Sequence, residues 1–209
     1  MLPTDLPRMS VVIDTDPGVD DAWAILFLAA QPNVEIVAVG TAHGNVPTAM
    51  AAANALRVLD VAGLDRIPVA IGQATPLQQR LETAQFVHGD GTDCARFATS
   101  VLDTYVSIYT QVRDSVGCVL HDPLATAIML DESLATYNEL QVVIELAGHS
   151  RGATLVDERG FSTGRGGIPD QRLPVRIATT ADASVAMERV LRALITLGDR
   201  GSAGPAPLV

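Results

Sequence analysis

Val11-Val12-Ile13-Asp14-Thr15-Asp16-Pro17-Gly18-Val19-Asp20-Asp21-Ala22 is a short apolar run that empties into four aspartates within eight positions and then enters a helical pattern. Val11 to Ile13 reads as a buried strand and Asp20 to Ala30 as a helix, with Asp20 and Asp21 in the first turn, where the positive end of the helix dipole favours acidic groups. A helix cap explains one aspartate at such a start. Four crowded carboxylates would repel one another and take up protons unless a divalent cation compensates their charge. Oxygen ligands on a tight turn suit a hard ion such as Ca²⁺ or Mg²⁺ better than Zn²⁺.

The pattern continues outward from this turn. Val34 to Thr41 reads as a second buried strand, Asn45 and Pro47 lead into an Ala-rich helix ending near Gly63, and Ile67 to Ile71 is a third strand. A βαβαβ start predicts an α/β fold whose sheet is mostly parallel with helices on both faces, and ligands of such sheets gather beyond the carboxyl ends of the strands. The aspartate turn and Asn45 fall at that edge. Gly72 to Asp93 lacks a clear period and reads as an irregular excursion. Cys94 to Val116 is a helical stretch, with Phe97, Val101, Leu102, Tyr105 and Ile108 at helix spacing. Asp122 to Leu130 reads as a short helix with His121 at its start. Leu140 to Leu146 and Gly152 to Val156 form a candidate hairpin, Val175 to Ala178 a last strand, and Ala183 to Leu197 an amphipathic closing helix. The Pro- and Gly-containing tail from about 199 is expected to be disordered.

With 209 residues and 48% hydrophobic content, the chain is expected to form a single domain spanning 1–209. A net charge of −10 argues against nucleic-acid or anionic-membrane partners, which need clustered basic residues, and favours small-molecule chemistry. No basic leader and no membrane-length apolar run is visible, so a cytoplasmic location is expected. Cys94 and Cys118 lack the number and spacing of a disulfide framework. All fourteen basic residues are arginines. That excludes a P-loop lysine, Schiff-base chemistry and the usual haloacid-dehalogenase arrangement, for which Asp14-x-Asp16 alone would otherwise pass. His43 and His149 have no partner pattern and are expected to face solvent. Gly164-Arg165-Gly166-Gly167 does not lead from a strand into a helix and is a poor phosphate cradle.

Asp14-Thr15-Asp16-Pro17-Gly18-Val19-Asp20-Asp21 resembles the signature of the inosine/uridine-preferring nucleoside hydrolases. Gly44-Asn45 after the second strand, Val87-His88-Gly89-Asp90-Gly91 in a later loop and Leu120-His121-Asp122-Pro123 opening a helix follow in the family's order. Arg151-Gly152-Ala153-Thr154 running to Asp157 is a looser echo. The resemblance implies hydrolysis of the N-glycosidic bond of ribonucleosides to ribose and free base, using a water activated by Ca²⁺. It also implies roles: Asp16, Asp21 and Asp122 as metal ligands, and Asp16 in addition as the base that takes the water's proton. Asp20 and Asn45 would hold the ribose, His88 would approach the substrate from its loop, and His121 would protonate or shield the departing base. Asp14 would support the turn. The purine or pyrimidine preference stays open.

Members of that family are longer chains, and here Gly91 is followed almost at once by Cys94 and the helix preceding the His-Asp block. The resemblance therefore implies a central truncation, which removes a carbonyl ligand of the metal and the segment that grips the ribose 5′ end. Either a working hydrolase or a catalytically silent metal- or ligand-binding remnant fits such a chain. The survival of Asp16, Asp20, Asp21, Asn45, His121 and Asp122 favours the hydrolase. Missing strands would also leave apolar sheet edges, so a homo-oligomer is expected.

Overall fold

A computed structural model describes residues 7–76, 80–84, 118–156 and 173–202. The helical stretch expected over 94–116, His88, Cys94 and the tail beyond 202 lie outside the described residues. The chain groups into two compact units, Met1–Leu130 with Ser184–Val209, and Asp131–Ala183.

The first unit is built on β1 (Met9–Thr15), β2 (Val34–Thr41) and β3 (Val69–Ile71), parallel and in that order across the sheet. Ile13 lies opposite Val39 and Thr15 opposite Thr41, so the carboxyl ends of β1 and β2 finish side by side. The α/β class and the parallel sheet are those the sequence implies. Each strand is joined to the next by a helix, α1 (Val19–Ala30) and α2 (Thr48–Val61). Along β1, Val11 and Ile13 turn towards these helices, whereas Ser10, Val12 and Asp14 alternate to an exposed face. Val12 stays 69% exposed, so the period of two divides this strand into a packed and a solvated side.

Composition explains both helices. α1 is apolar nearly all round, as a helix buried on all sides must be, and eleven of its twelve residues are buried. Gln31 ends it by turning its side-chain amide back to the Phe27 carbonyl, 3.0 Å away. Pro47 precedes α2, whose last turn closes in a Schellman motif: Gly63, at φ 71°, donates to Asp60 O at 2.9 Å and Leu64 donates to Leu59 O at 2.8 Å. Between helices and sheet lies a core of Ile25, Leu26, Ile36, Val39, Ala55, Val58 and Leu59. Truncating a buried leucine in such a core typically costs about 2–5 kcal/mol.

Among the described residues, two further helices belong to this unit. α3 (His121–Leu130) packs along α1, and α4 (Ala183–Ser202) buries Ala186 and Val190 while Leu194 and Leu197 reach the core. α4 continues through Gly198 to Ser202, past the helix end expected at Leu197. A glycine weakens a helix by only about 1 kcal/mol, and this one does not stop it.

In the second unit β4 (Ala135–Leu140) pairs antiparallel with β7 (Val175–Ala181), and β5 (Val142–Ile144) with β6 (Thr154–Val156). The hairpin expected near Gly148 is present as β5 and β6. The expected strand over 140–146 is shorter, and β4 was not legible because Thr136, Asn138 and Glu139 give it no apolar run. Arg176 fastens the β4–β7 pair, donating to Glu132 at 3.0 Å and lying 4.4 Å from the centre of the Tyr137 ring. No helix of the described residues is long and apolar enough to cross a membrane.

Candidate active site

Four chain segments of the first unit meet beyond the carboxyl ends of β1 and β2. The turn 16–18 leaves β1, the first turn of α1 follows it, residues 42–46 leave β2, and α3 opens at His121. One carboxylate oxygen each from Asp20, Asp21 and Asp122 lies within 4.8 Å of the others. Asp20 and Asp21 are buried and Asp122 is partly so. The family resemblance implies Asp16, Asp21 and Asp122 as metal ligands. Geometry groups Asp20 with Asp21 and Asp122, whereas Asp16 is outside this group of three and acts on Asp122 through its charge.

Asp21 is held from several sides. Its Oδ1 accepts from the Thr15 hydroxyl, and its Oδ2 accepts from the backbone amide of Gly18 at 3.0 Å and from Asn45 Nδ2 at 3.3 Å. Asp16 Oδ2 accepts from the backbone amide of Asn45. Asn45 thus ties the loop after β2 to Asp16 on the loop after β1 and to Asp21 in the first turn of α1. Gly44 allows that approach, because a Cβ there would sit 2.0 Å from Asp16 Oδ2. His43, expected to face solvent, holds the neighbouring loop: its Nδ1 donates to the Gln73 carbonyl at 2.9 Å. Asn54 and Thr15 also serve the turn and were missed; Asn54 donates to the Pro17 carbonyl at 3.1 Å. A polar residue among the alanines of α2 was the available signal for Asn54.

Electrostatics single out Asp122. Burial first, then the charges of Asp21, Asp20 and Asp16, and finally a hydrogen bond with Asp21, push its carboxyl up to about 7. Two carboxylates at this spacing repel by about 3–4 kcal/mol at an effective dielectric near 20. The α1 dipole returns only about 0.3–1 kcal/mol per charge. Crowding on this scale is relieved by a proton or by a cation. An all-oxygen, acidic donor set fits a hard divalent ion, so these residues suit a metal. Burial and the nearby Asp20 charge raise the Cys118 thiol, which keeps it neutral and a poor soft ligand.

His121 borders the cluster. Its Nδ1 is 3.9 Å from Asp20 Oδ2, and its side chain is 67% exposed against 10% for Asp20. An imidazole beside a carboxylate and open to solvent can pass a proton to a group bound over the cluster. Of the residues singled out in the sequence, Asp16, Asp20, Asp21, Asn45, His121 and Asp122 therefore gather at one edge of the sheet. Asp14 lies on the exposed face of β1, beside Gly40.

Known proteins share this arrangement of chain. A uridine nucleosidase of Arabidopsis thaliana is 45% identical over 80 residues, 38% of this chain and 24% of its own length. A pyrimidine-specific ribonucleoside hydrolase of Photobacterium profundum is 35% identical over 144 residues, covering 65% of this chain and 46% of its own. The chain thus spans less than half the length of the curated relatives it matches here. Among solved structures a plant nucleoside hydrolase superposes with a TM-score of 0.78 at 21% identity, over 90% of this chain and 99% of that one, which shows a common fold. The family model of the inosine-uridine preferring nucleoside hydrolases matches residues 11–93 and 90–188, two stretches that overlap at 90–93, where the sequence passes from Gly91 to Cys94. Since these stretches take in the aspartate turn, Asn45 and the His121-Asp122 pair, the chain belongs to the inosine-uridine preferring nucleoside hydrolase family.

Proposed function

We infer that this protein hydrolyses the N-glycosidic bond of ribonucleosides, with Ca²⁺ as its metal. The observation that carries the reading is the convergence of Asp20, Asp21 and Asp122 within 4.8 Å, with Asp16 close enough to raise the Asp122 carboxyl, in a chain of this family. Asp21 and Asp122 are the first candidates to hold the ion. Asp16 and Asp20 would stand beside it, and all four donors are hard oxygens. When bound, a divalent cation supplies positive charge that holds a water molecule and makes it more acidic.

The chain's own residues divide the remaining work. Asp16 accepts a proton from the attacking water as its oxygen bonds to C1′ of the ribose. Asp20 and Asn45 accept from and donate to ribose hydroxyls, which fixes the sugar where positive charge develops as the N-glycosidic bond breaks. The electron pair of that bond departs with the base. His121, at the exposed rim, gives the departing nitrogen a proton or shields it. Both the water's proton and the base's proton therefore have a named carrier.

Release of free base and ribose from inosine and from uridine, followed by chromatography with and without chelator, tests the reading. Turnover that chelator abolishes and Ca²⁺ restores is the expected result. A purified protein that binds Ca²⁺ yet releases no base from any ribonucleoside would reduce it to a metal-binding relative of the hydrolases.

A further inference from the structure

Asn54 is 1% exposed and sits on α2 among Ala51, Ala55 and Val58. A buried amide must find partners, and both ends of this one do. Its Nδ2 donates to the Pro17 carbonyl at 3.1 Å, and its Oδ1 accepts from Arg57 Nη1, three residues further along the helix, at 3.1 Å. Arg57 thereby fixes which end of the amide points at the aspartate turn.

The carbonyl of Pro17 and the amide of Gly18 belong to one peptide unit. That amide donates to Asp21 Oδ2 at 3.0 Å. One rigid plane is thus gripped at its oxygen by Asn54 and at its nitrogen by Asp21, and neither end can turn without the other. Flipping the plane changes ψ of Pro17 and φ of Gly18. Glycine accepts either sign of φ, so residue 18 itself offers little resistance. After a flip the Pro17 oxygen would face the Asp21 carboxylate, and repulsion would drive Asp21 away from Thr15, Asn45 and the other aspartates.

We propose that Asn54 is a positioning residue of the candidate cation site, which locks the Pro17–Gly18 peptide and through it aims the Asp21 carboxylate. The role of the site rests on the function inferred above; the lock itself does not. Asn54→Asp keeps the shape and replaces the donor with an acceptor, and Asn54→Ala removes the donor while favouring the helix, should the first variant fail to fold. Leu59→Ala, on the same helix and 1% exposed, is the control for general loss of stability.

Amide hydrogen exchange by NMR in chelator compares Gly18 with Ile25 in the core of α1, and calorimetry measures Ca²⁺ affinity. Either Asn54 variant should lower Gly18 protection at least tenfold relative to Ile25 and weaken Ca²⁺ binding at least tenfold. Leu59→Ala should lower the melting temperature with neither change. Gly18 protection that survives in the Asn54 variants, or falls equally in Leu59→Ala, overturns the proposal, as does Ca²⁺ affinity untouched by a loosened Gly18. If the unaltered protein binds no Ca²⁺ while Gly18 loosens as expected, the lock on Asp21 stands and the cation reading fails.

Discussion

Gly44 lies so close to Asp16 that a Cβ at residue 44 would stand 2.0 Å from the carboxylate Oδ2. The obstructed atom is the end of a side chain, which can swing away. Gly44→Ala should therefore displace Asp16 and loosen its bond from the Asn45 amide, with little loss of fold. We expect a melting temperature within a few degrees of the unaltered protein and nucleoside turnover at least tenfold lower, about 1.4 kcal/mol in the barrier. Unchanged turnover with a normal melting temperature would separate Asp16 from the chemistry.

Cation binding to the folded chain alone should raise stability by mass action, about 2.7 kcal/mol when the ion is at a hundred times its dissociation constant. Calorimetric melts in chelator and in millimolar Ca²⁺ check this. Asp21→Asn should abolish most of the difference, because Asp21 belongs to the cluster and is held by Thr15, Gly18 and Asn45. A melting temperature indifferent to both additives would count against the cation site.

The Asp122 carboxyl sets a pH dependence in the cation-free protein. It is raised to about 7 in the fold, above the usual carboxylate range, so the folded chain binds a proton that the unfolded chain has released. Stability from that proton is fully present below about pH 4 and is lost as pH rises through about 7. In chelator the melting temperature should fall across this window. Asp122→Asn, which cannot ionise, should remove that component of the fall, and Ca²⁺ added near pH 6 should release protons from the unaltered protein. Parallel pH profiles for Asp122→Asn and the unaltered chain would show that Asp122 ionises normally.

Substitutions at the two proposed proton carriers should differ in kind. Asp16→Asn removes a charge and a base and should lower turnover of every riboside by several orders of magnitude. His121→Ala should slow inosine and uridine more than a nitrophenyl riboside, whose leaving group departs as a stable anion. Steady-state rates on the three substrates decide it. Equal losses would take His121 out of the acid role.

Local sequence fixed much of this protein before any long-range contact was known. The apolar run ending at Ile13, the acidic start of α1, the exact limits of β2 and the alanines of α2 closed by Gly63 each follow from periodicity, capping and dipole effects that act within a few residues. The order β1-α1-β2-α2-β3 then brings the aspartate turn and Asn45 to one sheet edge through the rule for parallel crossovers. Tertiary structure decided what depends on distance in space. It joined Asp20 to Asp21 and Asp122, set Asp16 against the Asn45 amide, pressed Gly44 on Asp16, and passed Asn54 across to Pro17. None of these could be read from spacing along the chain, because a carboxylate's neighbours and a buried amide's partners are chosen by packing. The polar strand β4 stayed hidden for the same reason: its pairing with β7, and no apolar pattern of its own, makes it a strand.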